Sequence, residues 1–297
     1  MSRAPHVPEL PDVPGLPDVP DLPELLAFAE SAAREAGTLI RDERPRDLGV
    51  AATKSTPTDV VTVMDQRSER LLRERLLGAR PDDGLLGEEG GGVDGRSGVT
   101  WVVDPIDGTV NYLYGIPEYA VSVAAVTGDP QVPGGYDVLV GCIHNPVSGE
   151  TWTATRGGGA FLDGERLSVR EVEDLGQVLL ATGFGYAARR RAHQATVVSA
   201  LLPQVRDIRR IGSGTLDLCA VATRRVDAYV ERGLSPWDLA AGTLVAREAG
   251  ALVTGLAADD DSEPAPAGPD LVVVAAPQLH ARLQRLLRPL RPDTDGD

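Results

Sequence analysis

Seven short β-like runs follow one another between residues 84 and 183, at 84–88, 100–104, 119–127, 137–143, 150–155, 159–162 and 178–183, and three of their links are polar or glycine-rich turns. Strands in such number need helical or sheet cover on their apolar faces. Upstream, Leu25, Leu26, Ala29, Ala32, Ala33, Ala36, Leu39 and Ile40 recur at helical spacing and stop before Pro45. A second helix is expected over about 60–78, with Val61, Leu72 and Leu76 on one stripe. Downstream, helical stretches near 189–202, 214–224 and 236–249 alternate with short strands near 207–211, 227–231, 251–254 and 271–275, and a last helix covers 278–288. Two helices, consecutive strands and then alternation predict a layered α/β protein.

The ends read differently. Residues 5–23 contain LPDVP twice, at 10–14 and 16–20, and proline at this density favours an extended, solvated chain. Residues 1–23 are therefore expected to form a disordered arm, with partner docking as the other reading. The folded domain is expected over 24–288, a surface loop over 256–270 and a polar tail over 289–297.

The 297 residues carry a formal charge of −15, unevenly placed: −4 over 1–24, −5 over 256–270 and +1 over 271–297. The remaining body is moderately acidic, which argues against nucleic acid as main partner, because phosphate neutralisation needs clustered Lys and Arg. No run of about 18 apolar residues exists to span a bilayer. The N-terminus has no basic stretch followed by an apolar one, so a cytoplasmic, enzyme-sized protein is expected. Cys142 and Cys219 are far apart and read as buried thiols, while His6, His144, His193 and His280 form no zinc pattern.

Chemistry is legible at three places. In WVVDPIDGT (101–109) an apolar run stops at Asp104-Pro105, and proline turns the chain so that Asp104 and Asp107 can leave the strand end on one side. Two close carboxylates plus an intervening carbonyl, such as that of Ile106, make an all-oxygen site suited to Mg²⁺. The amides after Gly108 could open a helix aimed at a phosphate. An ordinary Asp-Gly turn explains the same residues without an ion. GLLGEE (84–89) ends another strand in acids, or begins a solvated loop. In SPWDLAAGTLVAREAGA (235–251), Ser235, Pro236 and Asp238 fit a helix start, where Asp238 serves equally as a cap or a ligand. Asp65 falls on the expected stripe of the second helix, and a buried carboxylate there needs a partner, by capping or from an arginine such as Arg67. Lys54 is the only lysine beside 28 arginines, a compact ammonium suited to carboxylates or phosphate.

Taken together, GEE, WVVDPIDGT and SPWDLAAGTLVAREAGA, in this order and spacing, resemble the inositol monophosphatase family of the Mg²⁺-dependent, lithium-sensitive phosphatase superfamily. KSTPTDVVTVMD (54–65) resembles the segment before the family's second helix, and IGSGTLDLCAVATRRVDAYVERG (211–233) resembles its substrate side. The resemblance covers about 25–288 and implies the αβαβα sandwich shared with fructose bisphosphatase. It implies that Glu88, Asp104 and the Ile106 carbonyl hold one Mg²⁺, and that Asp104, Asp107 and Asp238 hold a second, in a site of two or three ions. Asp65 and Thr109 match the pair that activates the attacking water. Gly108 and Thr109 amides would grip the phosphate, and Gly212, Ser213, Gly214 and Glu231 would line the alcohol's pocket. Glu88, Ile106, Asp107 and Asp238 would touch the substrate through its phosphate. Where the family often has His, this chain has Ser235.

The resemblance further implies hydrolysis of a small phosphorylated metabolite, foremost inositol 1-phosphate, by a homodimer that Li⁺ inhibits. Sister activities on fructose 1,6-bisphosphate, histidinol phosphate or NADP⁺ share these motifs. A different class of reading is a binding protein of transcription complexes, as some bacterial members are.

Overall fold

The computed structural model describes residues 21–54 and 60–296. Helix α1 (Leu22–Asp42) is followed by a small ladder, β1 (Ala52–Thr53) with β2 (Val60–Val61), and by α2 (Val63–Ala79). Next come β3 (Gly84–Gly87), β4 (Gly91–Val93), β5 (Val99–Asp107), the short α3 (Thr109–Tyr114), β6 (Ala120–Gly128), β7 (Tyr136–His144), β8 (Thr151–Thr155), β9 (Gly159–Leu162) and β10 (Glu165–Arg166). The second half alternates: β11 (Leu179–Thr182), α4 (Ala188–Leu201), β12 (Asp207–Arg209), α5 (Gly214–Ala222), β13 (Ala228–Glu231), α6 (Pro236–Glu248), β14 (Leu252–Thr254), β15 (Val272–Ala275) and α7 (Pro277–Leu287).

The strands form an eight-stranded sheet in the order β10-β9-β8-β7-β6-β5-β3-β4 and a five-stranded sheet in the order β12-β11-β13-β15-β14. Within the large sheet only β3 and β5 pair in parallel. Side chains alternate across a strand, and both faces of each sheet are covered, so the strands read as continuous apolar runs. On β5, Trp101 and Val103 face α1 and α2, while Val102 faces α5 and α6. On β15, Val272 and Val274 meet α5 and α6, while Val273 and Ala275 meet α4 and α7. The layers are therefore α1/α2, large sheet, α5/α6, small sheet and α4/α7, the αβαβα sandwich expected from the resemblance.

Several boundaries differ from the sequence reading. Asp21 caps α1, and Leu22 and Pro23 lie in its first turn, where proline's missing N–H is no loss; residues 1–20 of the expected arm lie outside the described residues. The second helix begins at Val63 behind the N-cap Thr62, and Val61 pairs in β2 instead of joining the helical stripe. Strand β5 continues past Pro105 to Asp107 through a bulge between Asp104 and Asp107, a place in a sheet that tolerates proline. The three glycines after Glu89 lead into β4, paired with β3. The expected polar tail begins with a 3₁₀ turn (Arg288–Leu290) and folds back on α4, where Arg291 O meets His193 Nε2 at 2.8 Å. Among the described residues no helix is long and apolar enough to cross a membrane.

Candidate active site

The β5 bulge sends both aspartates to one place. Asp104 Oδ1 accepts the Ile106 N–H at 3.0 Å, and the Pro105 carbonyl accepts the Ser68 hydroxyl of α2 at 3.1 Å, so the turn is fixed from both ends. Asp107 reaches across to the start of α5, where its Oδ2 accepts Ser213 Oγ at 2.6 Å, the Thr215 N–H at 2.7 Å and the Thr215 hydroxyl. Asp238 sits in the first turn of α6, its Oδ2 accepting the Ser235 N–H at 2.6 Å. Each of Asp104, Asp107 and Asp238 offers a carboxylate oxygen, and these oxygens lie within 4.8 Å of one another.

Such an arrangement strains the anionic form. Burial, then the charges of Glu88, Asp107 and Asp238, push the Asp104 carboxyl well above the usual range. Burial, then the charges of Asp107 and Glu88, do so for Asp238. Oδ1 of Asp107 and of Asp238 accept no hydrogen bond among the described residues, while Oδ2 of each is committed. Spare carboxylate oxygens converging in a low-dielectric pocket, without Cys or His, are a donor set that fits a hard divalent cation such as Mg²⁺.

Glu88 lies on the same cavity wall but is pulled to the other side by Lys54, whose Nζ is 2.6 Å from both Glu88 Oε1 and Glu89 Oε1. Burial raises the Glu88 carboxyl to about 7, against the opposing pull of Lys54. Burial alone would lower the Lys54 ammonium, but the two glutamates outweigh it and hold it above its ordinary value. The GEE turn is anchored from below, because Glu69 on α2 accepts the N–H groups of Glu89 and Gly90 at 2.7 and 2.8 Å and is itself paired with Arg73.

Asp65 lies beneath this floor. It is fully buried at the N3 position of α2, its Oδ2 accepting the Thr62 N–H at 2.8 Å and the Thr62 hydroxyl at 2.5 Å. Capping therefore accounts for part of its environment, while Arg67 pairs with Glu43 instead. Its remaining oxygen, Oδ1, faces Thr109 Oγ1 at 3.2 Å. Burial raises the Asp65 carboxyl, and the Thr62 and Thr109 hydrogen bonds oppose that rise. Thr109 Oγ1 is also 3.0 Å from the Ile106 carbonyl. A hydroxyl has one proton, so when it goes to either acceptor the oxygen's lone pairs remain open to a further donor.

Gly108 precedes Thr109 with φ +92°, and a Cβ there would lie 2.9 Å from the Glu118 carbonyl and 3.2 Å from the Gly212 carbonyl, so only glycine fits. Asn111 Nδ2 ties these two turns together, donating to Glu118 O at 2.7 Å and Ile211 O at 2.9 Å. Glu231, at the end of β13, accepts the Tyr229 hydroxyl at 2.5 Å, and burial lifts its carboxyl to about 7.

One cavity of about 540 Å³ is lined by Glu88, Asp104, Ile106, Asp107, Gly108, Thr109, Gly212, Ser213, Gly214, Glu231 and Asp238 together. The expected ligand and pocket residues are thus brought to one place, with Asp65 just behind Thr109. Ser213 lines this cavity with its hydroxyl turned onto Asp107. Thr62, Thr215 and Asn111 escaped the sequence reading. The Thr62-x-x-Asp65 spacing carries a capping-box signal that an earlier helix start hides; Thr215 and Asn111 leave none.

A layered αβαβα protein with an all-oxygen acidic pocket between its sheets is the class these features define. The chain matches the Inositol monophosphatase family over residues 21–291 and belongs to it. It is 45% identical over 284 residues to the "Inositol-1-monophosphatase SuhB" of Mycobacterium tuberculosis (strain ATCC 25618 / H37Rv), covering 88% of this chain and 93% of that one. It is 38% identical over 240 residues to the "Nus factor SuhB" of Vibrio cholerae, covering 80% and 87%. Among solved structures, the suhB protein of Bartonella henselae superposes with a TM-score of 0.79 at 33% identity, covering 89% of this chain and 98% of that one.

Proposed function

We propose that this chain hydrolyses a phosphate monoester, foremost inositol 1-phosphate, with Mg²⁺ held by Glu88, Asp104, the Ile106 carbonyl, Asp107 and Asp238. The convergence of Asp104, Asp107 and Asp238 oxygens within 4.8 Å, beside Thr109, carries this reading. When bound, Mg²⁺ offsets the ester's negative charge and makes water a better nucleophile at neutral pH. The chain's own groups do the rest. Thr109 Oγ1 accepts a proton from the attacking water as its own passes to Asp65 Oδ1, whose raised basicity suits it to receive it. The amides of Gly108 and Thr109 face the phosphate. Glu231, Gly212 and Gly214 border the alcohol, and Gly183 packs directly against the Glu231 carboxylate.

Inhibition by Li⁺, a homodimer and a cytoplasmic location belong to the same reading, and fructose 1,6-bisphosphate, histidinol phosphate and NADP⁺ are its competing substrates. A panel of these esters with Mg²⁺, scored by released phosphate, tests it; no turnover of any ester, with the protein folded, would refute it. The V. cholerae relative's name favours a second reading, contact with a transcription complex, which retention of RNA polymerase on the immobilised protein would support.

A further inference from the structure

The cavity extends beyond Glu231. Arg190 on α4 and Arg232, the residue after Glu231, stand on the wall it shares with an adjoining cavity of about 250 Å³. Neither guanidinium pairs with a carboxylate of the acidic cluster. Both converge on one oxygen, Oδ1 of Asp295 in the returning segment after α7: Arg190 Nε lies 2.9 Å away and Arg232 Nη1 closer still. Two guanidinium groups thus share a single carboxylate oxygen.

The arginine pair is set in place by its surroundings. Arg190 lies across Gly185 and Gly233, where a Cβ would come within 2.7 and 2.6 Å of its side chain. The Arg232 side chain is only 12% exposed, and its Nε is buried without an acceptor. A buried donor left unpaired costs free energy, and a ligand richer in acceptors would recover it. A phosphate group brings three acceptor oxygens and close to two negative charges, against the single charge of Asp295.

We propose that Arg190 and Arg232 form an anion subsite on the alcohol side of the catalytic cavity, for a second phosphate group on the substrate, and that Asp295 is its built-in occupant, displaced when such a substrate binds. The subsite rests on the phosphatase reading for its biological use, though not for its binding. It makes the chain selective for bisphosphorylated alcohols over monophosphorylated ones once the carboxylate is out of the way.

The test compares inositol 1-phosphate with inositol 1,4-bisphosphate, by steady-state kinetics with Mg²⁺ and by calorimetric titration in EDTA, where turnover is absent. Asp295→Asn, and separately a chain ending at Asp293, should lower KM and Kd for the bisphosphate by about three- to tenfold, the scale of one charged contact, with less than a twofold change for the monophosphate. Adding Arg232→Gln to Asp295→Asn should erase that gain. An equal response for both ligands, or none in either variant, overturns the proposal. If neither ester is hydrolysed while the titrations keep their Asp295-dependent preference, the phosphatase reading fails and the subsite stands. Hydrolysis of both esters without such a preference leaves the reading intact and removes the subsite.

Discussion

At the scale of single residues, Asp65 holds two positions at once. Its Oδ2 closes the capping box of α2 through Thr62, and its Oδ1 meets Thr109. These roles separate by mutation. If Asp65 and Thr109 pass one proton in series, Thr109→Ala and Asp65→Asn should each lower kcat about a hundredfold or more with little change in KM, as expected for groups acting on the transition state. The double variant should then be little worse than either single one. Asp65→Asn also disturbs the cap, so its melting temperature should fall, by the equivalent of about 1 kcal/mol. A purely structural Asp65 would give that fall with kcat per folded molecule unchanged, and independent roles would make the kinetic losses multiply. Kinetics and melting curves on the same three variants decide the matter.

At the scale of elements, β7 is pressed from both sides. Gly141 faces α6, and a Cβ there would lie 2.9 Å from the Ala241 Cα. Because α6 carries Asp238, Gly141→Ala should do more than overpack the layer. It should destabilise the fold by about 1–3 kcal/mol and raise the Mg²⁺ concentration needed for half-maximal activity; a lower melting temperature with an unchanged Mg²⁺ requirement would show that α6 moves as no unit with its ligand. His144, on the opposite face, is buried against Gly37 of α1 and bonded to Thr151 at 2.9 Å. Burial, then Arg34, hold its pKa below the ordinary 6.5. The unfolded chain therefore binds a proton below 6.5 that the folded one resists, so this group's contribution to stability falls as pH drops through 6.5. His144→Gln should narrow its melting-temperature deficit to wild type, or reverse it, between pH 7.5 and 5.5; a constant gap would exclude the effect.

The same element scale explains what could be read in advance. Strands buried on both faces announce themselves as apolar runs, so β5, β6, β7 and β15 were legible within a residue or two at most ends. β4 was not, because Gly91 and Gly92 hold their place by pairing with β3 and carry no side-chain signal. The extension of β5 past Pro105 depends on a bulge, which only the partner strand defines. In the site, carboxylates stood out because their motifs are local. Thr215, 108 residues from Asp107, and Arg190, 105 residues from Asp295, enter only through tertiary contact.

At the scale of the whole molecule, the acidic pocket sets stability against function. Asp104 and Asp107 come from the bulged end of β5 and Asp238 from the first turn of α6, so their mutual repulsion acts both within one strand end and between layers. Without a counter-ion burial, together with that repulsion, opposes folding, which is why the Asp104 and Asp238 carboxyls resist ionisation. A cation that binds only the folded form stabilises it by mass action, about 2.7 kcal/mol at a hundredfold excess over Kd. Mg²⁺ should therefore raise the melting temperature of the wild-type chain, and EDTA should lower it. Asp104→Asn makes the contrast sharper. It removes one buried negative charge while keeping the side chain's shape, so in EDTA the variant should melt no lower than wild type, and Mg²⁺ should add little to it. Turnover should fall about a hundredfold or more, since the altered residue is the one shared by both proposed ion positions. An Asp104→Asn protein that is less stable than wild type in EDTA, yet gains as much from Mg²⁺, would mean that the pocket is an ordinary polar core and that the ion binds elsewhere.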